Sequence, residues 1–209
     1  MRSSLPIVAL VAGVASALPK IPFFTDKAVI PEFGNRVAKI AVRQSQPCFV
    51  IGSTELPQET ADAASALANI VTCSPSITTI AGVPDVRSGS LSFSSIDFSQ
   101  SSQSPLQFAL SKFATEEPLA NSNLSFFQDA LNAYLATEAG IRSVGGSLAI
   151  KVPKFFLEMQ VSRIQTAQGN PPTEPGLQVD HLRDKVLENA ASEDQALLDQ
   201  VTQLAAQLQ

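Results

Sequence analysis

An α+β fold, a small sheet packed against about four helices with a C-terminal helical extension, is what the sequence predicts. Three observations point there. Residues 77–98 alternate apolar and polar side chains with period two, while the segments on either side repeat their apolar residues at helical spacing. Proline, glycine and serine clusters break these runs at short intervals. A Gly/Pro-rich stretch, residues 169–176, then reads as a linker before a last pair of amphipathic segments.

Residues 1–17, MRSSLPIVALVAGVASA, have the layout of a secretory signal peptide. Arg2 charges the start, Leu5 to Ala15 are apolar, and Ala15-Ser16-Ala17 is a small-residue cleavage pattern that leaves Leu18 at the mature N-terminus. A membrane span needs about 20 apolar residues, and Pro19, Lys20 and Pro22 interrupt the run first. No later segment is long and apolar enough to span a bilayer. The mature chain is therefore expected to be extracellular, with no membrane attachment after signal cleavage. Residues 18–45 form a basic arm, in which Lys20, Lys27, Arg36, Lys39 and Arg43 outnumber Asp26 and Glu32.

The folded domain is expected over residues 46–168. Cys48-Phe49-Val50-Ile51, closed by Gly52, reads as a buried strand. Pro57 suits the first turn of a helix, where its missing N–H costs nothing. Ala61, Ala64, Leu67, Ala68 and Val71 continue at helical spacing toward Cys73. Cys48 and Cys73 are the only cysteines, and outside the cytosol such a pair predicts one disulfide. It would staple the strand to the end of that helix.

Ile77 to Ile80 is strand-like, and Gly82-Val83-Pro84-Asp85 reads as a turn. Leu91 and Phe93 then alternate with Ser90, Ser92 and Ser94. At Ser94-Ser95 the parity slips to Ile96 and Phe98, which calls for a β-bulge or a tight turn. Nine serines lie between residues 88 and 104. A solvated strand face and loop accounts for them; the alternative is a hydrogen-bonding face or an O-glycosylated patch.

Three helices follow. Ser104-Pro105 opens the first, with Leu106, Ala109, Leu110 and Phe113 on one face. Asn123 or Ser125 caps the second, where Phe127, Leu131, Tyr134 and Leu135 form the apolar face and Gly140 ends the run. After Gly145-Gly146 and a short apolar run, Pro153 starts the third. Phe155, Phe156, Leu157, Met159, Val161 and Ile164 lie on several of its sides, so it is expected to be the buried central helix.

Beyond the linker, residues 177–209 form an acidic amphipathic tail with six acidic and two basic residues. Leu182, Val186 and Leu187 mark one segment, and Leu197, Val201, Leu204 and Leu208 the next. Ser192 with Gln195 reads as a capping box between them. The pair can pack back on the domain, pair with another molecule or stay frayed.

Composition narrows the function. Fourteen Lys/Arg against nineteen Asp/Glu give a net charge of −5, the opposite of a nucleic-acid binder's basic footprint. No phosphate-cradling glycine loop appears, so no nucleotide cofactor is implied. Two cysteines and the single His181 cannot complete a tetrahedral metal site, and no Glu-x-x-His pair offers a di-metal one, so no metal is expected.

The catalytic candidates are Ser147, Glu138 and Glu158. Gly145-Gly146-Ser147-Leu148-Ala149 resembles a nucleophile elbow, but that chemistry needs a strand-to-helix turn, a His base and an acid. Only His181 is available, beyond the linker. Facing each other, Glu138 and Glu158 would push one pKa up and make a general acid. The competing arrangement pairs Glu138 with Arg142, and Glu158 with Lys154 or Arg163. Asn123-Leu124-Ser125 is the one N-glycosylation sequon, which would make the product a glycoprotein.

Several segments together resemble a known family: Gln46-Pro47-Cys48-Phe49-Val50, Gly82-Val83-Pro84-Asp85-Val86, Ser95-Ile96-Asp97-Phe98-Ser99 and Ser104-Pro105-Leu106-Gln107-Phe108-Ala109-Leu110. Tyr134-Leu135-Ala136-Thr137-Glu138-Ala139-Gly140 and Ile150-Lys151-Val152-Pro153-Lys154-Phe155-Phe156 complete the set. They resemble an uncharacterised family of secreted fungal proteins with a domain of unknown function. The resemblance covers roughly residues 46–168 and implies export, with no activity, substrate or catalytic residue attached.

The leading expectation is a secreted, non-catalytic binding module at a cell surface, wall or host interface, with a protein or cell-wall partner. One alternative is a secreted hydrolase using Glu138 and Glu158, or Ser147. Another is a carrier with a closed cavity lined by Phe108, Phe127, Phe155 and Phe156.

Overall fold

The computed structural model describes residues 46–209, so the signal peptide expected over residues 1–17 and the basic arm over 18–45 lie outside the described residues. In chain order the elements are α1 (Gln58–Leu67), β1 (Thr72–Thr78), β2 (Pro84–Ser88), β3 (Leu91–Ser92), α2 (Pro105–Lys112), α3 (Leu124–Ser143), α4 (Lys151–Ala167), α5 (Val179–Asn189) and α6 (Gln195–Ala206). This is the expected α+β fold: a three-stranded antiparallel sheet in the order β1-β2-β3, four helices within residues 46–168, and two more at the C-terminal end.

The core forms where α3 and α4 meet. α4 packs against α2, α3 and α5, and α3 also contacts α1, β2 and β3. Because α4 has neighbours on several sides, Val152, Phe156, Leu157, Met159, Val161 and Ile164 are all buried. Full burial of side chains such as Phe156 or Leu157 stabilises by about 1.5–3 kcal/mol each. On the sheet side, the Tyr134 ring meets Phe93 at 5.1 Å and Phe113 at 5.9 Å, both edge to face. Its hydroxyl donates to the Ile96 carbonyl at 2.7 Å, so the one polar atom of this aromatic cluster is satisfied.

Helix starts follow local chemistry. Pro57 precedes α1, the Ser104 side chain accepts from the Gln107 amide at the start of α2, and Asn123 accepts from the Phe126 amide at the start of α3. Pro153 falls in the first turn of α4, which begins two residues earlier than expected, at Lys151.

Elsewhere the structure corrects the sequence reading. Cys48 to Ile51 is a turn, not a strand: the Val50 amide donates to the Pro47 carbonyl at 2.9 Å. The Ile51 and Gly52 amides donate to the Ser143 hydroxyl at 3.2 and 2.9 Å, in place of a strand ladder. Only Phe49 is fully buried, while Ile51 is 43% exposed.

α1 stops at Leu67, whose carbonyl accepts from both Ile70 and Val71. The β-branched run Ile70-Val71-Thr72 then enters β1. Cys73 therefore lies in β1, and its disulfide with Cys48, Cα atoms 6.0 Å apart, staples the N-terminal turn to the first strand and not to the end of a helix. The turn also falls earlier than expected. Thr79 donates its amide to the Val83 carbonyl at 2.7 Å around Ala81 and Gly82, both with positive φ, and Pro84 and Asp85 already belong to β2.

The parity slip at Ser94-Ser95 is a tight turn. A 3-10 turn over Phe93–Ile96 puts these two residues, three apart, into the core together. Gly140 does not end α3, which runs on to Ser143. It is a close-approach glycine: a Cβ there would lie 2.5 Å from the Phe49 carbonyl oxygen and 2.7 Å from a Val83 methyl. The cap of α6 is Asp194, which accepts from the Ala196 amide, not the expected Ser192/Gln195 box.

Of the three arrangements open to the C-terminal helices, the structure shows them packed back on the domain. α5 lies on α4, and α6 on α5 and α2, burying Val179, Leu182, Val186, Val201 and Ala205. Arg163 of α4, only 2% exposed, donates to the Gln207 carbonyl at 2.9 Å. A guanidinium is favoured at this point because Gln207 is the C-cap of α6, the negative end of the helix dipole. Glu193 adds a tie, accepting from the Leu106 amide at the start of α2.

Candidate functional site

The structure brings Glu138 and Glu158 together, with a lysine between them. Glu138 sits in the later turns of α3, and Lys154 lies in the first turn of α4. The Lys154 ammonium is 3.4 Å from Glu138 and 3.8 Å from Glu158, one turn further along its own helix. Arg142, one turn beyond Glu138 on α3, closes the other side at 2.7 Å. Two acids and two bases thus form one largely buried cluster. The Lys154 ammonium also lies 3.6 Å from the centre of the Phe155 ring, which adds a cation–π contact.

This arrangement decides the proton chemistry of Glu138. Burial pushes its carboxyl up, but the charges of Lys154 and Arg142 and the bonds they donate outweigh that, holding it below the usual carboxylate range. A general acid at neutral pH needs the opposite shift. Sequence reading anticipated the Glu138–Arg142 pair but assigned Lys154 to Glu158 alone. Arg163, the other partner considered for Glu158, instead turns to Gln160 and to the end of α6.

Ser147 stands exposed in the irregular segment joining α3 to α4, with no strand before it. His181 is exposed in the first turn of α5, and no hydrogen bond joins the two among the described residues. The strand-to-helix elbow that would sharpen a serine nucleophile is not formed there.

The serine-rich segment is largely a set of internal ties. Ser94 donates both its amide, at 2.8 Å, and its hydroxyl, at 2.6 Å, to buried Asp85. Ser99 does the same to buried Asp97, at 2.9 and 2.7 Å. Ser88 donates to Asp129 of α3 and accepts from Asn132, linking the sheet to the helix. The sequence showed no partner for Asp85 or Asp97; the structure supplies Ser94, nine residues from Asp85, and Ser99, two residues from Asp97, while Ser88 reaches Asp129 across 41 residues.

The four phenylalanines considered for an apolar cavity are engaged separately. Phe108 packs edge to face on Phe113, Phe127 on Phe126, Phe155 lies beneath Lys154, and Phe156 is fully buried. A groove of about 280 Å³ lies elsewhere, lined among others by Thr115, Glu117, and Gln200 and Gln203 of α6. Cys48 and Cys73 form the expected disulfide. Asn123 is exposed, with its side-chain oxygen engaged as the α3 cap.

Fold and site together define a disulfide-stapled α+β domain whose candidate acids are held in ion pairs. The chain belongs to the family described as Domain of unknown function (DUF7143), whose model matches residues 50–209. The match runs through the linker and the tail, past residues 46–168, in keeping with α5 and α6 sharing the core. The chain finds no match among curated proteins or solved structures. Among the described residues, no helix is long and apolar enough to cross a membrane, and no group of three metal-ligating side chains converges.

Proposed function

We propose that this chain is exported, loses residues 1–17, and works outside the cell as a non-catalytic binding module at a cell surface, wall or host interface. The observation that carries the reading is the fate of the two carboxylates: Glu138 and Glu158 share the Lys154 ammonium, and Glu138 is held ionised. A carboxylate held as Glu138 is supplies structure, not proton transfer. The Cys48–Cys73 disulfide supports an oxidising destination, as does the resemblance to secreted fungal proteins.

The test has two parts. Intact mass and N-terminal sequencing of protein from the medium should give a chain starting at Leu18 with one disulfide. The same protein, incubated with isolated wall and surface fractions and with a panel of hydrolase substrates, should bind saturably without turnover. Turnover that is lost in Glu158→Gln, with the fold intact by circular dichroism, overturns the reading in favour of the hydrolase.

A further inference from the structure

We propose that Asn123 carries an N-linked glycan, and that the same side chain caps α3 while modified. The site rests on the export reading above, because the transfer machinery belongs to the secretory route. Asn123-Leu124-Ser125 is the single sequon in the chain. Both Asn123 and Ser125 are exposed, so the acceptor amide and the hydroxyl required two residues on are presented together. The segment that displays them is anchored: Leu119 is buried in the 3-10 turn just before, and the buried Ser122 hydroxyl accepts from the Glu116 amide at 2.9 Å.

The two atoms of the Asn123 amide have separate duties. Oδ1 accepts from the Phe126 amide at 3.2 Å, satisfying one of the orphan donors at the start of α3. That donor fixes which atom is oxygen. Nδ2 makes no hydrogen bond to the described residues, and it is the atom to which a glycan attaches. Glycosylation leaves a secondary amide whose carbonyl still accepts, so the cap survives the modification.

The transfer balances without any redox partner. Nδ2 bonds to C1 of the reducing-end sugar of a polyprenyl-diphosphate oligosaccharide. The C1–O bond to the diphosphate breaks, the diphosphate leaves with the electron pair, and the amide gives up one proton.

The experiment uses the full chain with its own leader in a eukaryotic secretory host, recovered from the medium. Intact mass is read before and after peptide:N-glycosidase in heavy-oxygen water. The expected result is a glycan-sized excess that the enzyme removes, leaving labelled Asp at position 123. Ser125→Ala should abolish the excess completely while keeping the cap. Asn123→Asp should abolish it too, with its carboxylate as replacement cap, so that loss of the glycan is read on folded protein. A chain in the medium with its disulfide formed but Asn123 unmodified overturns this site and leaves the export reading standing. A chain retained in the cell with free thiols overturns both.

Discussion

Glu138→Gln keeps the shape of a buried side chain, removes its charge and turns one of its two acceptor oxygens into a donor. What remains is Arg142, with a side chain one-fifth exposed, and Lys154, one-tenth exposed, facing Glu158 at 3.8 Å. Breaking a fully buried ion pair costs about 3–5 kcal/mol, because the surviving charge is stranded. Arg142 can turn toward water and Lys154 keeps Glu158, so the loss here is expected to be about 2–4 kcal/mol.

Adding Lys154→Met removes the other half of the Glu138–Lys154 pair, so the double variant should be about 1–3 kcal/mol less destabilised than the sum of the singles. The pH dependence has a definite sign. Glu138 ionises more readily folded than unfolded, so its contribution is fully present above the unfolded value of about 4.3 and disappears as pH falls through the lowered folded value. Glu138→Gln should lack that component of acid destabilisation.

Urea unfolding at neutral pH, repeated through the acid range, measures both effects. If Glu138→Gln unfolds within about 0.5 kcal/mol of the parent, a change typical of the surface, the cluster does not carry the stability assigned to it. Unchanged acid sensitivity would refute the argument just as well.

Other perturbations follow from single contacts. The disulfide closes a separation of 25 residues, for which loop entropy predicts about 3.5 kcal/mol; urea midpoints of oxidised protein and of Cys48→Ser/Cys73→Ser should differ accordingly. Gly140→Ala drives a methyl toward the Phe49 carbonyl and Val83 and should cost about 1–3 kcal/mol by thermal unfolding, whereas a helix-propensity argument alone predicts a gain. Arg163→Met removes the donor that holds the Gln207 carbonyl, so limited proteolysis should clip α6 faster than in the parent while α3 and α4 stay protected.

The sequence by itself determined what is settled within a turn or two of chain. Ser104-Pro105 and Asn123 start their helices because the cap and the amide it satisfies are three residues apart. The apolar residues of α4 mark a central helix because they fall on several of its sides, and the lone cysteine pair had one partner each. The proposal of export, too, starts from residues 1–17.

Only the tertiary structure decided what depends on groups far apart along the chain. Cys48 to Ile51 has the composition of a strand, yet the Val50 amide turns back to Pro47 and the Ile51 amide is satisfied by a serine hydroxyl 92 residues on. Gly140 looks like a helix stop until Phe49 and Val83 are seen pressed against it. Lys154 has a same-helix partner in Glu158 that spacing can find, but its bond to Glu138 exists only because α3 and α4 pack side by side. Local periodicity fixes which face a side chain occupies; which charge or carbonyl waits on the other side is set by how those faces meet.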